Sequence, residues 1–393
     1  MRRFSALNSL KLRGSYGTTG NTSIDPYATQ GLLSPRVYSF GATPTRGYRP
    51  ANIPNPDLGW EKTSTTDVGL DYAFAGNRIS GTIDGYRANT HDLLLPQALP
   101  ATSGFATTLQ NIGSTKNTGI EVGISTVNLQ NWHGVTWTTD VNWAKQKNEI
   151  TALASGVSAD PLNVWFVGQP INLCNPNPAL CADPLHAVWY DYKSEGIWQF
   201  ADSTLMKQYN AAGSNFKVGQ PRVADVNGDG KITVADSGII GNSYPAWTGS
   251  LSNRVTFRNF DLSGLVTAKW NYLIRNGAPR GMGGRFGNIQ QDYWTITNPS
   301  NENPAPQAPN SGGSWPYMTS LNYVDGSHWR IRNITLGYTA GETFAGRIGA
   351  QSLRVYGTAQ DPYVHSNYVG QDPEVFGAAP TIKTFLVGTN IVW

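Results

Sequence analysis

A run of oxygen-bearing side chains at alternate positions has the spacing of a calcium-binding loop. In such a twelve-residue loop, positions 1, 3 and 5 supply side-chain oxygens, position 6 is glycine, position 7 gives a backbone carbonyl and position 12 closes the shell. The residues at these six positions are Asp225, Asn227, Asp229, Gly230, Lys231 and Asp236. The sequence therefore predicts a Ca²⁺ site with a structural role, closed by an aspartate where glutamate is usual.

Two explanations of this motif stay open. Val218–Pro221 precedes the loop and Gly238 soon follows it, so we expect no pair of flanking helices of the EF-hand type. The same side chains could instead accept hydrogen bonds from their own backbone in an Asx-rich turn that binds no metal.

Other residues capable of chemistry form no recognised constellation. Aspartate and glutamate total 26, so pairs of neighbouring carboxylates will occur by chance. No motif identifies one of them as the catalytic pair of a glycoside hydrolase. The histidines belong to no HExxH or Ser/His/Asp pattern; they are His91, His133, His186, His328 and His365. We assign no catalytic residue and expect no enzyme activity.

The two cysteines, Cys174 and Cys181, enclose a short proline-rich segment. No CxxC spacing or histidine partner suits zinc. In an oxidising compartment they would close a small disulfide loop, and otherwise they are two free thiols.

Long stretches alternate between apolar and polar residues. In 251–257, Leu251, Val255 and Phe257 share one side, and after a short turn at Asn259 the pattern resumes through Trp270. These runs exceed the five or six residues of an ordinary globular strand. A strand that crosses a membrane needs about 9–11 residues, apolar outside and polar inside.

The same alternation recurs along the chain and predicts roughly ten to twelve antiparallel strands. The other predicted strands are 10–20, 60–74, 78–95, 119–129, 135–143, 329–339, 353–360 and 384–393. We predict that Leu70, Val122, Val141 and Leu262 face outward and that Asp67, Asp71, Asp140 and Asn142 face inward. Aromatic residues at strand ends, as in the girdles of membrane barrels, favour a membrane sheet over a soluble one; they are Trp60, Phe74, Trp132 and Trp143.

Composition supports a sheet with many turns. The 393 residues include 43 glycines and 24 prolines, which serve long helices poorly. The net charge of +3 and the absence of a long basic run argue against nucleic-acid binding. No apolar segment approaches 18 residues, so we predict no membrane-spanning helix. The first four residues start no apolar signal core, which predicts either a cytosolic protein or a chain without its natural front.

Several stretches, in order, resemble the C-terminal part of SusC/RagA-type TonB-linked outer-membrane transporters. The matching segments are 10–21 (LKLRGSYGTTGN), 55–72 (NPDLGWEKTSTTDVGLDY), 111–125 (NIGSTKNTGIEVGIS), 195–200 (EGIWQF), 225–242 (DVNGDGKITVADSGIIGN), 292–299 (DYWTITNP), 325–339 (DGSHWRIRNITLGYT) and 368–375 (YVGQDPEV). The resemblance covers nearly the whole chain and rests on the order of these segments.

The resemblance implies an all-β fold, namely an antiparallel transmembrane β-barrel of 22 strands. This chain would form roughly half of that barrel, without the plug domain. Residues 1–393 would be one part of the barrel domain, with long extracellular loops near 21–56, 150–245 and 271–327. The implied location is the outer membrane, and the implied partners are membrane lipid, the TonB complex and a SusD-like surface lipoprotein. The implied function is TonB-dependent uptake of glycans, oligosaccharides or peptides.

The resemblance also implies an open sheet. The first strand of the barrel would lie in the missing N-terminal part, so we predict that the strands at Leu10–Gly17 and Thr384–Trp393 are its two edges. The alternative function is a secreted soluble β-protein that binds carbohydrate through exposed Trp, Tyr and Asn side chains.

Overall fold

A computed structural model describes most of the chain. The described residues are 6–21, 26–154, 156–160, 165–171, 188–275, 292–306, 315–347, 349–368, 372–375 and 381–393. Cys174 and Cys181 lie outside the described residues, so their predicted disulfide stays a prediction.

Strands dominate the secondary structure. In chain order they are β1 (Leu7–Asn21), β2 (Leu33–Phe40), β3 (Thr43–Pro50), β4 (Glu61–Phe74), β5 (Ile79–Ala98), β6 (Thr107–Trp132), β7 (Val135–Ala152), β8 (Ala159–Asp160), β9 (Trp165–Phe166), β10 (Val188–Tyr192), β11 (Ser194–Ile197), β12 (Pro221–Val223), β13 (Ser237–Asn242), β14 (Trp247–Phe257), β15 (Phe260–Trp270), β16 (Leu273–Arg275), β17 (Tyr323–Asp325), β18 (His328–Thr339), β19 (Ser352–Ser366) and β20 (Thr384–Val392). The α-helices are α1 (Ser203–Ala211) and α2 (Glu342–Arg347), and 3-10 turns lie at Ala101–Ser103, Phe200–Asp202, Val234–Asp236 and Met318–Asn322. Among the described residues, no helix has both the length and the hydrophobicity that a membrane crossing requires.

Ten strands form one sheet, in the order β1-β4-β5-β6-β7-β14-β15-β18-β19-β20. In this sheet, β1 pairs antiparallel with β4. The neighbouring pairs β7–β14, β14–β15, β15–β18, β18–β19 and β19–β20 are also antiparallel. The two outermost strands are β1 and β20, which confirms the predicted sheet edges. The remaining strands pair in twos outside this sheet.

The connections between neighbouring strands are alternately long and short. Three short turns join β4 to β5, β6 to β7 and β14 to β15. They reverse the chain tightly through left-handed backbone angles; Ala75, Gly76 and Asn77 have φ of 51°, 69° and 65°, which glycine and asparagine adopt most readily. In the second unit, β7, β14, β15 and β18 pair antiparallel in that order. The β6–β7 and β14–β15 turns therefore lie at one end of these strands, and the long connection from β15 to β18 lies at the other end.

The chain divides into two compact units. The first comprises Met1–Gly76, Gly81–Val122 and Lys145–Leu185, and the second comprises Asn77–Ser80, Gly123–Ala144 and His186–Trp393. In the first unit, β1 pairs with β4 so that Leu12 lies opposite Leu70 and Gly14 lies opposite Val68. Lys11 and Asp71 lie opposite each other on the other side of the same pair.

In the second unit, the register brings apolar residues together in rows that cross several strands. Paired residues point to the same side of a sheet, so each row belongs to one face. One row is Val141, Leu251, Val266 and Ile331, and another is Trp137, Val255, Leu262, Leu336 and Val387. We call this side the apolar face. Leu262, Leu336 and Val387 are 46%, 55% and 86% exposed, so these side chains point away from the protein.

Aromatic side chains border the apolar face at both ends. Trp247 stacks on Trp270 with ring centroids 6.0 Å apart, and Phe260 lies 4.9 Å from Tyr338 at the opposite end. The 11 residues of β14 extend roughly 33 Å at about 3.3 Å per residue. Tilted by about 35–45°, such a strand crosses about 25 Å, which is the height of the apolar band of outer-membrane barrels.

The opposite side, which we call the polar face, carries ion pairs that pass over glycines. In the second unit, Arg354 of β19 binds Asp261 of β15 at 2.6 Å, across the intervening β18. A Cβ atom at Gly337 of β18 would overlap both side chains. In the first unit, Arg13 of β1 reaches Asp84 of β5 at 2.7 Å over Gly69 of β4 in the same way.

Some predicted loops contain regular structure. The predicted long loop near 21–56 contains the hairpin β2–β3, and the predicted long loop near 150–245 contains short strands and α1. Strands β5 and β6 also extend beyond the predicted bounds of 78–95 and 119–129. β6 has 26 residues. Its polar ends do not alternate between apolar and polar residues, so the sequence pattern predicted only part of this strand.

An added charge should destabilise the protein much more on the apolar face than on the polar face. Val141→Arg on the apolar face should lower the free energy of unfolding from lipid vesicles by about 2–4 kcal/mol. Asn142→Arg is the matched control, because it lies at the same depth on the polar face and should cost much less. Denaturant titration of both variants measures the difference, and equal costs would contradict the assignment of the faces.

A second prediction concerns Gly337, which leaves room for the ion pair between Arg354 and Asp261. Gly337→Ala should displace Arg354 from Asp261 and lower the free energy of unfolding by about 1.5–3 kcal/mol, the range for hydrogen bonds to charged groups. In an Arg354→Met background the same substitution should cost clearly less, because the pair is already lost. A double-mutant cycle measures this coupling, and simple additivity would show that Gly337 has another role.

Candidate functional site

The polar face holds the side chains predicted to face inward. In the second unit, Asp140 accepts a hydrogen bond from Ser125 at 2.6 Å, and Asn142 donates one to Ser250 at 3.4 Å. In the first unit, Asp71 binds Arg13 at 2.9 Å. Each of these side chains therefore pairs with another polar group, as is usual at a barrel interior, and none of them forms a catalytic arrangement.

The predicted metal loop is closed by its own hydrogen bonds. The Asp225 carboxylate accepts backbone N–H groups from Gly228, Asp229 and Gly230, at 2.7, 3.2 and 2.8 Å. Asn227 Oδ1 accepts from Asp229 N, and Asp229 Oδ1 accepts from Lys231 N. Gly230, at the predicted sharp turn, has a φ of 78°, which suits glycine.

Asp236 closes the loop from its other end and is fully buried. Its Oδ1 accepts Val226 N at 3.0 Å, and its Oδ2 accepts Thr233 N at 2.7 Å. Burial alone would raise the pKa of this carboxyl, but the backbone hydrogen bonds from Thr233, Asn227 and Val226 hold the pKa below its usual value. Asp236 is therefore a charged residue that organises the loop backbone.

The contacts bear on which residues could hold a cation. Among the described residues, no group of three or more Asp, Glu, His or Cys side chains is arranged to hold a metal ion. The predicted set contains three aspartates, Asp225, Asp229 and Asp236, and adds an amide oxygen and the Lys231 carbonyl. Asp225, Asn227 and Asp229 lie on one exposed turn and keep lone pairs that a hard cation could use, so calcium stays a prediction.

An aromatic core supports this loop. Trp198 is 1% exposed and packs against Phe216 and Tyr209, with ring centroids 5.3 and 6.0 Å away. The guanidinium of Arg222 lies 5.1 Å over the Trp198 ring and also binds Glu195 and Asp202. The Tyr209 hydroxyl donates to Asp225 at 3.5 Å. The metal loop is thus attached to a packed substructure within the long connection between β7 and β14.

A second charged cluster, which sequence reasoning did not identify, lies where β18 begins. We call it the ion cluster, and it comprises Lys269, His328, Arg330, Arg332, Asp361, Asp372 and Glu374. Arg330 is 2% exposed and donates to Asp372 at 2.5 Å. Glu374 lies 2.7 Å from Arg332 and 2.9 Å from Lys269.

Two further contacts of Glu374 are less directional. His328 Nε2 and Arg330 Nε lie 3.4 and 3.2 Å from its carboxylate oxygens, but neither nitrogen makes a well-directed hydrogen bond. Tyr272 lies on the other side of the histidine, with its hydroxyl 3.2 Å from Nδ1. Burial raises the pKa of the Tyr272 hydroxyl, which keeps it protonated.

Two of the acidic residues of the cluster, Glu374 and Asp372, are held in their charged form. Burial alone would raise the pKa of the Glu374 carboxyl, but contacts with His328, Arg332 and Lys269 hold the pKa well below its usual value. Arg330 likewise lowers the pKa of Asp372 against the effect of its burial. Because these values are depressed, the two carboxylates stabilise the folded state above about pH 4, and that contribution falls as the pH drops through the lowered values.

One signal in the sequence marks the charged residues of this cluster, although it does not show that they meet. Arg330 and Arg332 belong to the 325–339 segment, and Asp372 and Glu374 belong to the 368–375 segment, both of which carry the family resemblance. Each segment holds two like charges at alternate positions, and the two pairs have opposite signs. No periodicity connects segments that are separated by a whole strand and a loop, so their contact needed the structure.

Comparison with known proteins identifies the family. Residues 3–294 match the family model described as TonB dependent receptor-like, beta-barrel. Over 98% of its length the chain is 30% identical to TonB-dependent receptor P3 of Formosa agariphila, and over its full length it is 31% identical to TonB-dependent receptor SusC of Bacteroides thetaiotaomicron. The chain covers 39% and 38% of those two proteins.

A solved structure has the same fold. The RagAB peptide importer in its "open-open" state superposes on 100% of this chain with a TM-score of 0.77, at 24% identity, and the chain covers 41% of that structure's chain. The chain thus spans about two fifths of the length of the relatives that it matches. Its sheet is the C-terminal portion of an antiparallel transmembrane barrel, as the sequence predicted. The chain belongs to the TonB-dependent receptor β-barrel family and corresponds to the C-terminal part of its SusC-like members.

Proposed function

We propose that this chain forms part of the wall of an outer-membrane importer that takes up oligosaccharides or peptides in a TonB-dependent manner. The observation that carries the proposal is the register of the sheet, which puts apolar rows on one side and paired polar residues on the other. Such a wall suits lipid outside and an aqueous path inside.

The location and the partners follow from the same argument. The apolar face fits the hydrocarbon of the outer membrane, and the edge with long connections fits its external side. A SusD-like lipoprotein would meet the long connections from outside, and the TonB complex would act from the periplasm through a plug domain. Support for the lipoprotein comes from the likeness to SusC and to the RagAB importer.

The class of cargo follows from the relatives. One solved relative is a peptide importer, and the resemblance to SusC-type transporters adds oligosaccharides. The secreted carbohydrate-binding protein is the weaker alternative, because a water-soluble protein rarely leaves rows such as Leu262, Leu336 and Val387 exposed. We assign no reaction to the described residues.

Calcium would add a structural element to this importer. We infer that Asp225, Asn227 and Asp229 offer side-chain oxygens to Ca²⁺, that Lys231 offers its carbonyl, and that Asp236 closes the loop. The existing hydrogen bonds already order the turn, and binding would further stiffen an external loop that cargo or the lipoprotein meets.

Uptake by cells tests the transport proposal. Deletion of the gene should abolish accumulation of isotope-labelled oligopeptides or oligosaccharides, and a plasmid copy should restore it. A protonophore should mimic the deletion, because TonB draws on the proton gradient. The transport proposal fails if the protein fractionates with soluble proteins and its loss changes the uptake of neither cargo class.

Calorimetry tests the calcium proposal. The intact protein in detergent should bind Ca²⁺ at millimolar concentration, and Asp229→Ala should remove binding while the barrel stays folded. Asp229→Asn is the sharper variant, because it keeps an acceptor for Lys231 N and removes only the charge; it should also weaken binding. Asp57→Ala, at an exposed site elsewhere, is the control. Absence of calcium uptake by the wild-type protein would defeat the idea.

A further inference from the structure

The ion cluster joins four parts of the chain, because Asp361 of β19 also belongs to it. Lys269 lies one residue before the end of β15, and Arg330 and Arg332 belong to β18. Asp372 and Glu374 belong to the connection between β19 and β20. Glu374 contacts residues of both β15 and β18. All of these residues lie in the second compact unit.

From these contacts we infer that Asp372 and Glu374 are positioning residues. Through their ion pairs with β18, their carboxylates fasten residues 372–375 onto the polar face of that strand. The fastened segment then forms a fixed part of the wall along the import path. This inference rests on the proposed function for its second half, whereas the fastening itself depends only on the contacts.

The burial of the cluster makes the fastening strong. Arg330 is 2% exposed, His328 is 1% exposed and Asp372 is 4% exposed. Removing one partner would leave its counterpart charged and unpaired away from water, which is strongly unfavourable. Asp372 also accepts backbone N–H groups from Glu374 at 2.9 Å and from Thr381 at 3.3 Å, so the same carboxylate shapes the segment that it attaches.

The charges of the cluster argue against a ligand site. Lys269, Arg330 and Arg332 supply three positive charges, and Asp361, Asp372 and Glu374 supply three negative charges within 2.5 to 3.6 Å of them. Each cation of the cluster already has an anionic partner. A site for a charged substrate would instead present an unsatisfied charge of one sign.

The cluster also reaches the preceding long connection. His328 Nδ1 lies 2.9 Å from the Gly326 carbonyl, and Ser327 accepts a hydrogen bond from Ser366, at the end of β19, through its own carbonyl at 3.1 Å. Asn271 N donates to the Ser327 hydroxyl at 2.9 Å. Both ends of the connection from β15 to β18 therefore meet beside the start of β18.

Hydrogen–deuterium exchange of the intact protein in lipid vesicles tests the fastening. In the wild-type protein, the amides of Glu374 and Thr381 should exchange slowly, and exchange as fast as in an unstructured peptide would overturn the inference without any variant. Glu374→Gln and Asp372→Asn should each speed exchange of these amides by about tenfold or more. Asp261→Asn removes an ion pair of the same kind on the same face and should leave them unchanged.

A second readout separates the fastening from the transport function. In cells with equal amounts of receptor, Glu374→Gln should alter the rate of uptake several-fold, and Asp261→Asn should not. Faster exchange with unchanged uptake would overturn the claim that the segment forms part of the path. Unchanged exchange in both variants would overturn the fastening, whereas an absence of uptake by the wild type would defeat only the proposed function.

Discussion

The hydrogen-bonded ladder of the ten-stranded sheet is the constraint on which the other features depend. Within hydrocarbon no water can satisfy backbone N–H and C=O groups, so each strand inside the sheet must bond to two neighbours. The ladder fixes the register, and the register fixes which side chains share a face. A shift of one residue in β15 would exchange Leu262 with Asp261 and place a carboxylate against lipid.

Charged residues on the polar face extend this order beyond nearest neighbours. Arg354 reaches Asp261 across β18, and Arg13 reaches Asp84 across β4, each over a glycine that leaves the space free. Near the long connections, the ion cluster attaches residues 372–375 to the sheet by the same kind of contact. The polar face therefore organises the wall through paired charges, while the apolar face presents uncharged rows to the surroundings.

Local alternation allowed the sequence to predict the strands of the large sheet and its two faces, and the family resemblance supplied its two outermost strands. Val141 and Leu262 were assigned correctly because a period of two is visible within a single strand. The hairpin β2–β3 was missed because its prolines and glycines suggested a loop, and the full length of β6 was missed because its polar ends do not alternate. The ion cluster was missed for a different reason: the pairing of Arg330 with Asp372 depends on distant segments meeting, and no local pattern encodes that contact. Within the metal loop, the sequence identified the turn, and the structure added the hydrogen bonds of Asp236.

The central claim is that one side of this sheet faces lipid and the other does not. Single cysteines placed in turn at 261 to 266 of β15, each carrying a fluorescent probe, test it directly in vesicles that contain brominated lipids. The account predicts strong quenching at 262, 264 and 266 and weak quenching at 261, 263 and 265. Quenching that does not alternate with a period of two along β15 would contradict it.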